Sequence, residues 1–264
     1  MKISKIFFIF LFFLQNSFAR DYLILQSTTS TANTGLLEKL SESFFQESGI
    51  EIRSVAVGTG MAIENAKKGN ADLLIVHSKI DEIKFIEDGF GSQRFDIMYN
   101  DFVIVGPIND PAKIADKQSI KEVMKILHKK NNKFISRDDN SGTHKKEMSL
   151  WESSDLSIPD DSSYVKTGSG MANTLNIAAE MYSYVLTDRG TWLSFKNKKN
   201  LKILFDNDPS LHNPYGLVLM NNKKFPHVEY AKSLNFANWL LHGNGKKIIN
   251  NYKINGQQIF FTYD

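Results

Sequence analysis

Hydrophobic positions along this chain switch repeatedly between two spacings. Tyr22-Leu23-Ile24-Leu25 is a short apolar run that reads as a strand, and Leu36, Leu37, Leu40, Phe44 and Phe45 then recur at helical spacing. Gly49 closes that helix, and Glu51 to Val57 alternates with period two into a second strand. A helix over Ala62 to Lys68 follows. Ala71 to Val76 is nearly all apolar, the pattern of a parallel strand buried on both faces, and precedes a helix over Asp81 to Glu87. Gln93 to Val105 is a long extended segment, punctuated by Gly106-Pro107, that predicts a passage from one lobe into another. Beyond it the same unit recurs. Helix Ser119 to Lys130, a strand ending at Phe134-Ile135 and a polar helix over Lys145 to Ser153 lead to strand Tyr164 to Lys166 and helix Ala172 to Met181. Strand Tyr184 to Leu186 and a short helix come next, then strands Lys202 to Phe205 and Tyr215 to Met220 and two amphipathic scaffold helices. Strands alternating with helices predict an α/β fold with mostly parallel sheets.

The polar residues between these elements share one design. Each of several strands delivers a turn rich in Ser, Thr and Gly to the start of a helix: Gln26 to Thr31, Gly58-Thr59-Gly60-Met61, Ser141-Gly142-Thr143, Thr167 to Met171 and Thr187 to Thr191. A helix start offers unpaired N–H groups and partial positive charge, so such turns can cradle an anion. Arg137 precedes the third turn and supplies a planar fork suited to an oxyanion. The same residues also fit plain capping, with Asn140 or Ser141 as the cap and Arg137 paired to Asp138 or Asp139. At the last turn, Asp188-Arg189 fits an internal ion pair at a helix start as well as a ligand contact. Gly58-x-Gly60 is not a dinucleotide fingerprint, because Asn65 stands near the slot of the third glycine. His77 ends its strand alone and fits a hydrogen-bonded support better than a metal ligand, since no second His lies at ligand spacing.

Composition narrows the possibilities. Lys2 and Lys5 before the apolar run Ile6 to Leu14, with Ser17-Phe18-Ala19 as cleavage signal, predict a signal peptide over residues 1–19 and an exported protein. The chain has 0 Cys, which removes disulfides, thiol chemistry and acylation at a lipobox cysteine. With a hydrophobic fraction of 42% it can bury a large core or two smaller ones, and its +3 formal charge loses Lys2 and Lys5 with the leader. Nothing global attracts nucleic acid or a membrane. The Lys-Asn clusters read as solvated loops, and Trp151, Trp192 and Trp239 as core or lobe-edge residues, because no basic groove accompanies them. A pocket of neutral donors and one Arg holds an anion without transforming it. The enzymatic alternative, a secreted hydrolase or transferase acting on phosphate esters, would use Ser30 or Ser141 as nucleophile with His77, His144 or Asp188 as base.

Several segments together resemble the tungstate-binding periplasmic proteins of ABC transporters, relatives of the molybdate- and phosphate-binding type II solute-binding proteins. They are Ser27 to Gly35, Ala56 to Gly60, Ala71 to Ser78, Met98 to Phe102, Ile135 to Asp138 with Ser141-Gly142-Thr143, Gly168 to Met171 and Leu186 to Thr191, in order. Two positions depart from the family pattern. Ser27 stands where a threonine is usual, and Asp138 replaces a glycine, adding a negative charge beside Arg137. The resemblance implies a two-lobed type II periplasmic binding protein with a ligand cleft between lobes, residues 20–104 and 206–264 forming lobe 1 and 105–205 lobe 2. It implies capture of tungstate, or molybdate, for a membrane permease, no catalysis and no cofactor, in a periplasmic and monomeric protein. Thr29 and Ser30 would grip the oxyanion from the first lobe and Arg137 and Thr143 from the second. Thr59, Gly60, Ser141, Gly142, Ser169 and Gly170 would add hydroxyl or backbone donors. A phosphate-binding receptor is the nearest alternative within this class.

Overall fold

The computed structural model describes residues 21–263; the leader expected over residues 1–19 lies outside them. The first units are β1 (Tyr22–Thr28), α1 (Thr29–Asn33), α2 (Leu36–Ser48), β2 (Glu51–Val57), α3 (Thr59–Lys67), β3 (Leu73–Val76) and α4 (Lys79–Glu87). The long strand β4 (Gly91–Pro107) leads to α5 (Ile120–Leu127), β5 (Phe134–Ser136), α6 (Gly142–Ser153), β6 (Tyr164–Lys166) and α7 (Met171–Met181). Then come β7 (Tyr184–Asp188), α8 (Arg189–Ser194), β8 (Leu201–Phe205), β9 (His212–Met220), α9 (Tyr230–His242), α10 (Asn244–Asn251) and a small hairpin of β10 (Lys253–Ile254) and β11 (Gln257–Gln258).

The main sheet runs in the order β2-β1-β3-β9-β4-β7-β5-β6, with β8 also on β4. β1 is parallel to β2 and β3, and β5 is parallel to β6 and β7. β4 and β9 run antiparallel to their neighbours. The sheet has two halves because β4 changes partner: Asp101 still pairs with His212 of β9, and Phe102 already pairs with Asp188 of β7. The chain returns between Phe205 and His212.

Each half is a helix-sheet-helix sandwich, and strand alternation divides its core between the two faces. In the first half, Leu73 and Ile75 of β3 pack with Leu36, Phe44, Phe236 and Leu240, while Leu74 and Val76 face Ala62, Ala66 and Phe85. In the second half, Phe102 and Ile104 of β4 join Phe134, Leu150 and Trp151, while Val103 and Val105 join Ile135, Leu175 and Trp192. All three tryptophans lie in these cores, as their settings in the sequence predict. Fully burying one such large apolar side chain contributes about 1.5–3 kcal/mol. Among the described residues no helix is long and apolar enough to cross a membrane.

Several helices start off the expected residue: α3 begins at Thr59 rather than Ala62 and α6 at Gly142 rather than Lys145, each taking in its hydroxyl turn, and two further starts differ as well. The first hydroxyl turn forms its own short helix, α1, which ends before Gly35 takes a left-handed φ of 78° at the N-cap of α2. α4 begins at Lys79 rather than Asp81, because Glu82 Oε1 accepts from the Ser78 backbone N–H and closes the extra turn.

Candidate functional site

The C-terminal ends of β1, β2, β5 and β6 deliver α1, α3, α6 and α7 to one cavity of about 820 Å³ between the half-sheets, the place where open α/β sheets bind ligands. Thr29, Gly58, Gly60 and Met61 line it from the first half, and Arg137, Asp139, Asn140, Lys145 and Gly170 from the second. The starts of α3 and α6 nearly touch: a Cβ added at Gly60 would sit 3.4 Å from the Asn140 carbonyl oxygen, so glycine there allows the close approach. The N-caps of α1, α3 and α7 (Thr28, Gly58, Gly170) make no side-chain cap hydrogen bond. Their first-turn N–H groups stay available to a ligand. α6 is capped by Ser141, whose Oγ accepts from His144 N at 3.3 Å.

Of the residues that the sequence nominates, Thr29, Gly60, Arg137 and Gly170 are on the cavity wall. Ser30, Thr59, Ser141 and Thr143 are buried within a few residues of it, Gly142 packs against His77, and Ser169 is half-buried beside Gly170. Ser30 Oγ shares a 3.0 Å hydrogen bond with Thr28 Oγ1. Thr59 Oγ1 and Arg137 Nε are buried, and neither has a hydrogen-bond partner among the described residues. Unpaired buried donors are costly, so two beside one cavity mark a place for an acceptor.

Arg137 is itself 6% exposed, and its Nη2 donates to Asp139 Oδ2 at 2.5 Å. Asp139 Oδ1 accepts from Ser141 N at 3.1 Å. The plain capping reading therefore holds in part: Ser141 is the cap and Arg137 is paired to Asp139. Asp138, the other aspartate offered as a partner for Arg137, pairs elsewhere. Asp138 adopts φ 47°, turning its carboxylate toward His144 Nε2 at 3.6 Å and Lys166 Nζ at 3.7 Å.

Arg137 is also not the sole cation of the cavity. Lys145 lines it and pairs across the halves with Asp81 of α4, which Ser78 Oγ also contacts. The sequence reading missed this lysine because its partner is 64 residues away. The proposed Asp188–Arg189 ion pair is replaced by two separate roles. Asp188 caps α8, accepting from Thr191 N at 2.9 Å and from Thr191 Oγ1 at 2.5 Å. Arg189 forks onto Asp101 at 2.7 and 2.6 Å and reaches Asp206 at 2.7 Å, tying together both chain crossings between the halves. A carboxylate at an N-cap faces its own helix, which leaves the next side chain free to turn away.

His77 Nδ1 is 3.0 Å from Asn213 Oδ1, and Asn213 Nδ2 donates to Asn100 Oδ1 at 2.6 Å. Burial, helped by the field of Arg137 and opposed by the Asn213 bond, pushes His77 down to about 4, so it is neutral near pH 7. Burial also raises the Asp188 carboxyl. The histidines and Asp188 suggested as bases are thus held by Asn213, Asn140 N and Thr191.

The PBP superfamily domain matches residues 16–244. The tungstate-binding protein TupA of Peptoclostridium acidaminophilum is 42% identical over 236 residues, covering 89% of this chain and 82% of that protein. The crystal structure of the tungstate ABC transporter from Geobacter sulfurreducens superposes with a TM-score of 0.82 at 44% identity, covering 89% of this chain and 100% of that one. The tungstate-binding protein TupA from Desulfovibrio alaskensis G20 gives 0.80 at 38% identity, covering 92% and 98%. The chain belongs to the PBP superfamily and, within it, to the family of tungstate-binding proteins of ABC transporters.

Proposed function

We propose that the protein captures tungstate, with molybdate as the nearest competitor, outside the cytoplasm and as a monomer, and delivers it to the permease of an ABC transporter. The carrying observation is the buried, unpartnered Nε of Arg137 on the cavity wall, with the unpartnered Thr59 Oγ1 set between the wall residues Gly58 and Gly60. Around them stand the helix starts without side-chain caps, whose N–H groups and dipoles favour a dianion without desolvating further cations. The relatives named for tungstate support the choice of anion.

Thr29 and Ser30 grip from one side and Arg137 and Thr143 from the other, with Thr59, Gly60, Ser141, Gly142, Ser169 and Gly170 contributing further donors. The partner exchange of β4 at Asp101 and Phe102 supports a division into residues 20–104 with 206–264 and residues 105–205. Asp139 is the carboxylate paired with Arg137, and each of its oxygens already accepts a hydrogen bond; Glu64, also on the cavity wall, is paired to Lys67, and Asp188 is held by Thr191. A protonated phosphate would therefore bring its O–H into a wall of donors, while tungstate would not.

Calorimetric titration with tungstate, molybdate, sulfate and phosphate tests this reading. Tungstate should bind more tightly than sulfate or phosphate; tighter binding of phosphate than of tungstate would sink it.

A further inference from the structure

His77 belongs to the first half, at the end of β3, and meets the first residue of α6 in the second half. Gly142 is packed so closely on the imidazole that an added Cβ would fall 2.5 Å from Cε1 and 2.9 Å from both ring nitrogens. The ring cannot easily retreat. Its Nδ1 is bonded to Asn213, Asn213 is bonded to Asn100, and both asparagines are paired strand residues of β9 and β4 just before β4 changes partner. Tyr215 and Phe102 flank it, with ring centroids 5.1 and 6.2 Å away. With Asn213 Nδ2 donating to Asn100, Asn213 Oδ1 accepts, so the proton sits on His77 Nδ1.

We infer that His77 is a positioning residue: it forms the cross-cleft seat for α6 and sets how closely the Ser141-Gly142-Thr143 turn approaches the first half. This rests on the proposal that the cavity holds an oxyanion. The turn carries donors for that ligand, so a displacement of α6 by the width of a methyl group takes them out of hydrogen-bond range. Gly142 has no conformational need to be glycine, because it lies within α6 rather than in a left-handed turn. Its Cα–imidazole contact is what excludes a side chain.

The test is a double-mutant cycle read by tungstate titration. Gly142→Ala should weaken binding by about tenfold or more in the native background, and by less than about threefold beside His77→Ala, whose vacated space accepts the methyl group. A purely local effect of Gly142→Ala on α6 would cost the same in both backgrounds, and that result overturns the inference. A graded series does not depend on His77→Ala folding: Gly142→Ser should cost at least as much as Gly142→Ala, and native affinity in both would overturn the seat. Absence of tungstate binding by the native chain would overturn the functional reading and this inference with it.

Discussion

Arg137 gives its Nη2 to Asp139 and keeps a buried Nε with no partner among the described residues. The guanidinium is thus anchored within its own turn through Nη2, while the neighbouring Nε–H remains for a ligand. The anchoring matters because an arginine fixed before binding loses little side-chain entropy when the ligand arrives.

Arg137→Ala should therefore lower tungstate affinity by roughly ten- to hundredfold, the equivalent of about 1.5–3 kcal/mol for a charged hydrogen bond. Arg137→Lys should recover little of it, since one ammonium cannot serve Asp139 and present a planar edge as well. Titration calorimetry measures both. Native affinity in Arg137→Ala would leave the turn as a helix cap and nothing more.

Thr59→Val isolates a neutral donor. Its Oγ1 is buried without a partner, so no internal hydrogen bond is lost and the ligand-free melting temperature should stay the same or rise. Affinity for tungstate should fall by a few-fold, matching about 0.5–1.5 kcal/mol. A drop in melting temperature with unchanged affinity would assign the hydroxyl to the fold instead.

Asp138→Gly addresses the departure from the family pattern. Asp138 holds a left-handed φ of 47°, a conformation glycine adopts without steric cost. The substitution also removes contacts at 3.6 and 3.7 Å to His144 and Lys166, distances at which partly exposed charges contribute little. Urea unfolding should show a gain of about 0.5–1 kcal/mol. A loss would mean that those charge contacts outweigh the backbone strain.

Glu147 is buried beneath the same turn, accepting from Ser136 Oγ at 2.9 Å, Tyr164 Oη at 2.5 Å and Trp151 Nε1 at 3.3 Å. Burial pushes its carboxyl from 4.5 up to about 7 against these hydrogen bonds. Between those values the folded chain holds a proton that the unfolded chain has released. Its contribution to stability is thus full at low pH and is lost as pH rises toward 7, by at most roughly 3 kcal/mol. Glu147→Gln removes the titration, so from pH 5 to 7 its unfolding free energy should decline less, or rise more, than that of the native chain. Parallel pH profiles would place the titration elsewhere.

Much of this was legible in the sequence because strand and helix periods differ, and because helix-starting turns announce themselves through Ser, Thr and Gly. Arg137 stood out as a cation beside such a turn. The choice of Asp139 over Asp138 as its partner did not, since it depends on the positive φ at Asp138 and Asn140, which no hydrophobic period encodes. Lys145 and the actual partners of Arg189 were hidden for another reason. Asp81, Asp101 and Asp206 are distant in sequence from the cations they pair with, and charge pairing across a fold leaves no local signature.

The position of β9 between β3 and β4 bears on the order of assembly. As a chain emerges from its N-terminus, the second half has all its strands once residue 205 is out. The first half, though it begins earlier, lacks an interior strand until residue 220 has followed, and its helix α9 comes later still. Vectorial emergence therefore favours the second half as the earlier folding unit, with Arg137 and its turn already formed when the other side of the cleft closes over them.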